Sequence, residues 1–163
     1  MPVHLKDISL KNFKSVSCGT FSLDAVHLQL VTGLCAKHNA VLEALALCKS
    51  LMSGQRLPPK TSSLIRSEAT QLECTLRFCV DTAEIAYTFT LCCYGQQATV
   101  HTEHITIRLS AHDIPPQVIT CTSGACPTSA GNKQVCSRSA LFFPEILPSL
   151  PRVVLALERL CKL

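Results

Sequence analysis

An α/β fold carrying an antiparallel β-meander is what this sequence predicts, and three observations lead there. Alternating extended segments open the chain and stop at a glycine. A segment with helical spacing of its apolar residues follows. Three β-rich segments then succeed one another through short polar breaks.

Residues 3–13 read as a strand, with Val3, Leu5, Ile8, Leu10 and Phe13 apolar and charges between them. Residues 20–23 fit a short strand paired with it. Residues 27–32 alternate and end at Gly33, the pattern of a strand running into a loop. From 40 to 52 the period lengthens. Val41, Leu42, Leu45, Leu47, Cys48, Leu51 and Met52 recur at helical intervals, with Glu43 and Lys49 on other faces; Gly54 ends the helix.

Residues 56–69, with Pro58 and Pro59, read as a loop. Segments 71–80, 84–92 and 99–109 are rich in Thr, Ile, Val, Phe and Tyr. Asp81-Thr82-Ala83 and Tyr94-Gly95-Gln96-Gln97 supply hairpin turns between them, which predicts the meander. Residues 124–139 are small and polar. A final helix is expected over 147–163, with Pro148 and Pro151 near its start. The whole chain, 1–163, reads as one domain: a strand–loop–helix core at 3–54, the meander at 70–110, a loop-rich stretch at 111–146, then the last helix.

Composition narrows the function classes. The chain is 47% hydrophobic and only 16% charged, below the roughly 25% usual for soluble domains. This implies a face packed on a partner or a piece of a larger domain. No apolar run approaches the ~20 residues of a membrane span, and the charged start (His4, Lys6, Asp7) is unlike a signal peptide. The net charge of +4 is mild and its lysines are scattered, so ordinary solvated charges are expected over a nucleic-acid face. Eleven cysteines, an odd number without a signal peptide, read as reduced intracellular thiols. Those near 79, 92 and 93 sit in apolar segments and are expected to behave as small buried hydrophobes.

Asn12-Phe13-Lys14-Ser15 at the end of the first strand and Leu42-Glu43-Ala44-Leu45 in the helix carry a family resemblance. In this order, followed by a hairpin with a Tyr-containing strand, they resemble the opening of SMC/RecF-like ABC-type ATPases. The stand-alone AAA ATPases grouped with OLD and abortive-infection proteins are the most similar, over residues 3 to 110. The resemblance implies a P-loop NTPase-like N-terminal lobe, with ATP and Mg²⁺ as cofactors. It also implies dimeric association, on DNA or in defence against phage.

The phosphate loop of that family, G-x-x-x-x-G-K-[ST], is damaged here. Its glycines turn backbone N–H groups onto the phosphates, its lysine reaches the β/γ oxygens, and its hydroxyl holds Mg²⁺. This chain has Gly33-Leu34-Cys35-Ala36-Lys37-His38-Asn39. With Glu43 fixing the register, Lys37 replaces the last glycine, His38 the lysine and Asn39 the hydroxyl residue. With Lys37 kept as the lysine, the loop is two residues short and His38 takes the Ser/Thr position. Either way no glycine precedes the lysine and no hydroxyl follows it, so Cβ atoms crowd a bend that needs bare backbone. The resemblance leaves Lys14, Gly33, Lys37, His38 and Asn39 as nucleotide-contact candidates, with no catalytic residue and no metal ligand assigned. A Ser-Gly signature and an acidic Walker B strand are also missing; 153–158 (VVLALE) suits a helix better. Hydrolysis by this polypeptide alone is not expected.

The expected function is therefore a degenerate or partial ATP-binding domain that acts through association with itself or another protein. The alternatives are an ATPase completed by another chain or a missing C-terminal half, and a small zinc-stabilised module. Zinc would need Cys121, Cys126, Cys136 and His112, but Cys-x₄-Cys is looser than the usual knuckle. His101 and His104, three apart in a strand, are expected on opposite faces and are read as solvated. Cys35 with His38 is the only close thiol–imidazole pair and is not expected to be a nucleophilic centre.

Overall fold

The computed structural model describes residues 2–23, 36–110, 115–122, 138–139, 141 and 143–161. Two strands, β1 (Val3–Phe13) and β2 (Val16–Ser22), form the opening hairpin. Asn12 and Lys14 at its turn take left-handed backbone, φ 56° and 49°. The turn is held from outside: Lys14 N–H donates to the Leu64 carbonyl, and Arg66 N–H donates to the Asn12 carbonyl.

After helix α1 (Ala36–Met52) and a 3-10 turn at Thr61–Leu64 come β3 (Gln71–Val80), β4 (Ala83–Tyr94), β5 (Gln97–Leu109) and β6 (Gln117–Thr122). Val80 pairs with Ala83 and Tyr94 with Gln97, so two residues close each hairpin. Asp81 and Gly95 supply the positive φ those loops need, 54° and 63°. The six strands lie in the order β2-β1-β3-β4-β5-β6, and every pairing is antiparallel.

This corrects the expected fold class. The chain is mostly antiparallel β-sheet with few helices, and an α/β, P-loop NTPase-like lobe built on a parallel sheet is not supported. The physical reason lies in the connections. A parallel pair needs a crossover of a dozen or more residues, whereas β3, β4 and β5 are joined by two-residue turns. Helix α1 leads to β3, which pairs antiparallel with β1. The strand expected at 27–32 and the glycine that ends it lie outside the described residues.

The stretch expected to be loop-rich holds β6 and a short helix, α2 (Phe143–Ile146). The last helix, α3 (Leu150–Cys161), starts later than expected, with Pro151 in its first turn where a missing N–H costs nothing.

One sheet face is apolar. Ile8, Leu10, Cys74, Leu76, Phe78, Ile85, Tyr87, Phe89 and Ile105 are all buried along it. Helices α1 and α3 pack on this side against β1 and against each other. Contact on more than one side explains why Val41, Ala44, Leu45, Leu47, Cys48 and Leu51 of α1 are all buried. On α3 a narrower stripe of Leu150, Val153, Leu157 and Leu160 is buried, as expected for an amphipathic helix. Lys49 of α1 and Glu158 of α3 pair at 3.0 Å, and Arg152 of α3 reaches Asp81 at 3.5 Å.

Candidate functional site

Among the residues singled out from the sequence, Lys14 has the best-defined surroundings. Its Nζ donates to Glu43 Oε1 at 2.7 Å, so the Asn-Phe-Lys-Ser and Leu-Glu-Ala-Leu motifs meet in space. Glu43 Oε2 is shut off from solvent without a partner among the described residues, although the side chain as a whole is 39% exposed. Lys37 and His38 lie in the first turn of α1, and Asn39 is exposed there. Gly33, Cys35, and the positions 112, 126 and 136 of the zinc alternative lie outside the described residues; Cys121 belongs to β6. His101 falls where the β4–β5 register shifts, and His104 bonds Thr106 at 3.0 Å.

The sheet face opposite the helices carries what the sequence reading missed. Strand registers build three rows across it. One row is Asp7, Arg77, Ala86, Thr106 and Val118; the next is Ser9, Thr75, Thr88 and His104; the third is His4, Cys79, Glu84 and Arg108. All of these are half-buried or exposed. They bond to one another laterally: Ser9 to Thr20 at 2.8 Å, Thr75 to Thr88 at 2.9 Å, and Arg77 to both Asp7 (2.6 Å) and Ser9 (3.0 Å).

A break in the β1–β3 register between Leu5 and Asp7 sets the charges. The bulge lets consecutive residues serve the same face. Asp7 meets Arg77, while Lys6 reaches past Cys79 to Glu84 at 2.8 Å. That contact holds the Glu84 carboxyl below its usual range, with smaller help from Arg108 and Arg77, and raises the Lys6 ammonium. Arg77, Glu84, Ala86, Thr106 and Arg108 line a shallow concavity. The sequence signal was present: Leu5 and Ile8 are three apart, which breaks the strand period.

A buried polar cluster lies on the other face. Glu103 is 1% exposed and accepts from Tyr87 Oη at 2.5 Å and Ser139 Oγ at 2.6 Å. Burial, then the neighbouring Glu103, push the Tyr87 phenol well above its ordinary range. Tyr87 also meets Phe143 edge-on at 5.0 Å, which ties α2 to β4.

The cysteines divide differently from expectation. Cys79, Cys92 and Cys93 are only half-buried, whereas Cys48 and Cys74 are fully buried with sulfurs 3.8 Å apart. Burial, then Cys48, push the Cys74 thiol up. Among the described residues no group of three or more metal-ligating side chains comes together, and no helix is long and apolar enough to cross a membrane. A scan against protein-family models finds no match to the chain, and a comparison with curated proteins finds none either.

Proposed function

We propose that this chain is a protein-binding module that works by association and not by nucleotide turnover. The observation that carries the reading is the open sheet face, where side chains already fixed by lateral bonds form a pre-ordered polar platform. A pre-ordered surface loses little conformational entropy on binding. Lys14 supports the reading from the other side, because its charge is engaged by Glu43. An ancestral link to SMC/RecF-like ATPases rests on the quoted motifs and on the chain order of hairpin, helix and meander. An intracellular, cytoplasmic setting rests on the sequence, whose eleven cysteines are odd in number and sit mainly in apolar segments.

The test is selection of peptides from a random display library on the full chain, beside calorimetric titration with Mg-ATP. The reading expects selected segments to lose binding to a Thr88→Trp variant, and it expects no saturable heat from Mg-ATP. Saturable Mg-ATP binding lost on Lys37→Ala would favour an ATPase completed by another chain and overturn the proposal.

A further inference from the structure

We infer that the Ala86 concavity on the open face is a seat for a carboxylate side chain of the bound protein, so that the favoured partner segment is acidic. The inference rests on the association reading and adds the partner's chemistry. Geometry comes first. Ala86 lies between Arg77 and Thr106 in the sheet, and Glu84 lies between Cys79 and Arg108. A methyl group surrounded by longer side chains leaves a dent, and two arginines, Arg77 and Arg108, are among the residues that line it.

Charge then selects the occupant. Three cations, Lys6, Arg77 and Arg108, gather with two carboxylates, Asp7 and Glu84. Lys6 holds Glu84 at 2.8 Å and Arg77 holds Asp7 at 2.6 Å, so each carboxylate has its own cation. Arg108 is the cation left over. Its side chain is exposed and makes no hydrogen bond or ion pair among the described residues; it acts on the Glu84 carboxylate only through space. Arg77 engages Asp7 and Ser9 through Nη1 alone. A guanidinium's planar fork of donors matches a carboxylate's two oxygens. A cationic segment would meet the surplus charge of Arg108 unfavourably.

The probe is fluorescein-labelled hexaglutamate, with hexalysine as control and fluorescence anisotropy as readout at low and physiological salt. Hexaglutamate is expected to bind and hexalysine not to bind. Arg108→Ala should weaken hexaglutamate about tenfold, and Arg108→Lys should restore only part of the loss. Arg108 is exposed, so its replacement leaves the fold intact, which circular dichroism checks. Equal binding of both peptides, or an unchanged affinity in Arg108→Ala, would overturn the inference. Displacement of hexaglutamate by equimolar inorganic phosphate would overturn it too, because the seat would then prefer free anions. If hexaglutamate fails while library-selected segments still need the open face, this inference falls and the association reading stands.

Discussion

Lys6 Nζ and Glu84 Oε1 stand 2.8 Å apart across the whole width of β3, and the bulge at residues 5–7 makes this reach available. The pair organises the charged end of the open face while both partners stay well exposed to solvent. Its value therefore lies in positioning and not in stability, as for other exposed pairs. Replacing Lys6 by Ala should move the Glu84 titration up toward its ordinary value of 4.5, followed by carbonyl-detected NMR, with little change in melting temperature. The sign follows from linkage. A carboxyl held low in the fold favours folding above its unfolded pKa, and that help is lost as pH falls through the folded value.

Glu103 should behave in the opposite way, as a buried group whose removal is costly. Glu103→Ala strands the buried Tyr87 hydroxyl, while the part-buried Ser139 Oγ keeps the Leu141 carbonyl as an acceptor at 3.3 Å. A loss of about 1–3 kcal/mol is expected from urea denaturation, the cost of one unmet buried donor. Tyr87→Phe should cost about 1–2 kcal/mol, because the donor disappears and Glu103 keeps Ser139.

Tyr87 also predicts an alkaline limit. Its folded pKa lies well above the ordinary 10.0, so the unfolded chain releases this proton first as pH rises. Stability should be unaffected by this group below about pH 10 and should fall above it. The decline should be shallower in Tyr87→Phe, measured by denaturant midpoints across pH 9 to about 11.

Thiol chemistry should follow burial. Cys18 is exposed on β2 and, among the cysteines of the described residues, should alkylate first with iodoacetamide. Cys48 and Cys74 should react only when the chain unfolds, since both are buried and the Cys74 thiolate is disfavoured. Peptide mapping by mass spectrometry at increasing urea reads the order directly.

The apolar stripe of α3 should carry much of the packing of the second layer. Leu157→Ala, at a fully buried position, is expected to cost about 2–5 kcal/mol. Leu155→Ala, on the exposed side of the same helix, should cost well under 1 kcal/mol beyond helix propensity, roughly the range of ordinary surface changes.

Local pattern made the meander and the helices legible in the sequence. Alternation over 71–80 matches β3 residue for residue, and Asp81 and Gly95 mark its turns. Strand direction was not legible in the same way. The pattern of β1 and α1 is equally compatible with a parallel α/β core until β1 is seen to pair with β3 antiparallel. β6 was missed because Gln117 to Thr122 is short and has few large apolar residues to mark a strand. The open face was missed for another reason. Its residues are strangers in sequence, such as Lys6 with Glu84 and Asp7 with Arg77, and only register brings them together. The break in period between Leu5 and Ile8 is a local clue to the bulge.

The open face as the working surface is tested most directly by the affinity of a library-selected segment for Thr88→Trp against the unmodified chain. Thr88 sits in the row beside the Arg77–Ala86–Thr106 row, between Thr75 and His104, so an indole there covers the platform without touching the core face. Loss of binding by at least about tenfold, with an unchanged circular dichroism spectrum, is the predicted result. Equal affinity for both proteins would place the binding surface elsewhere and contradict the account.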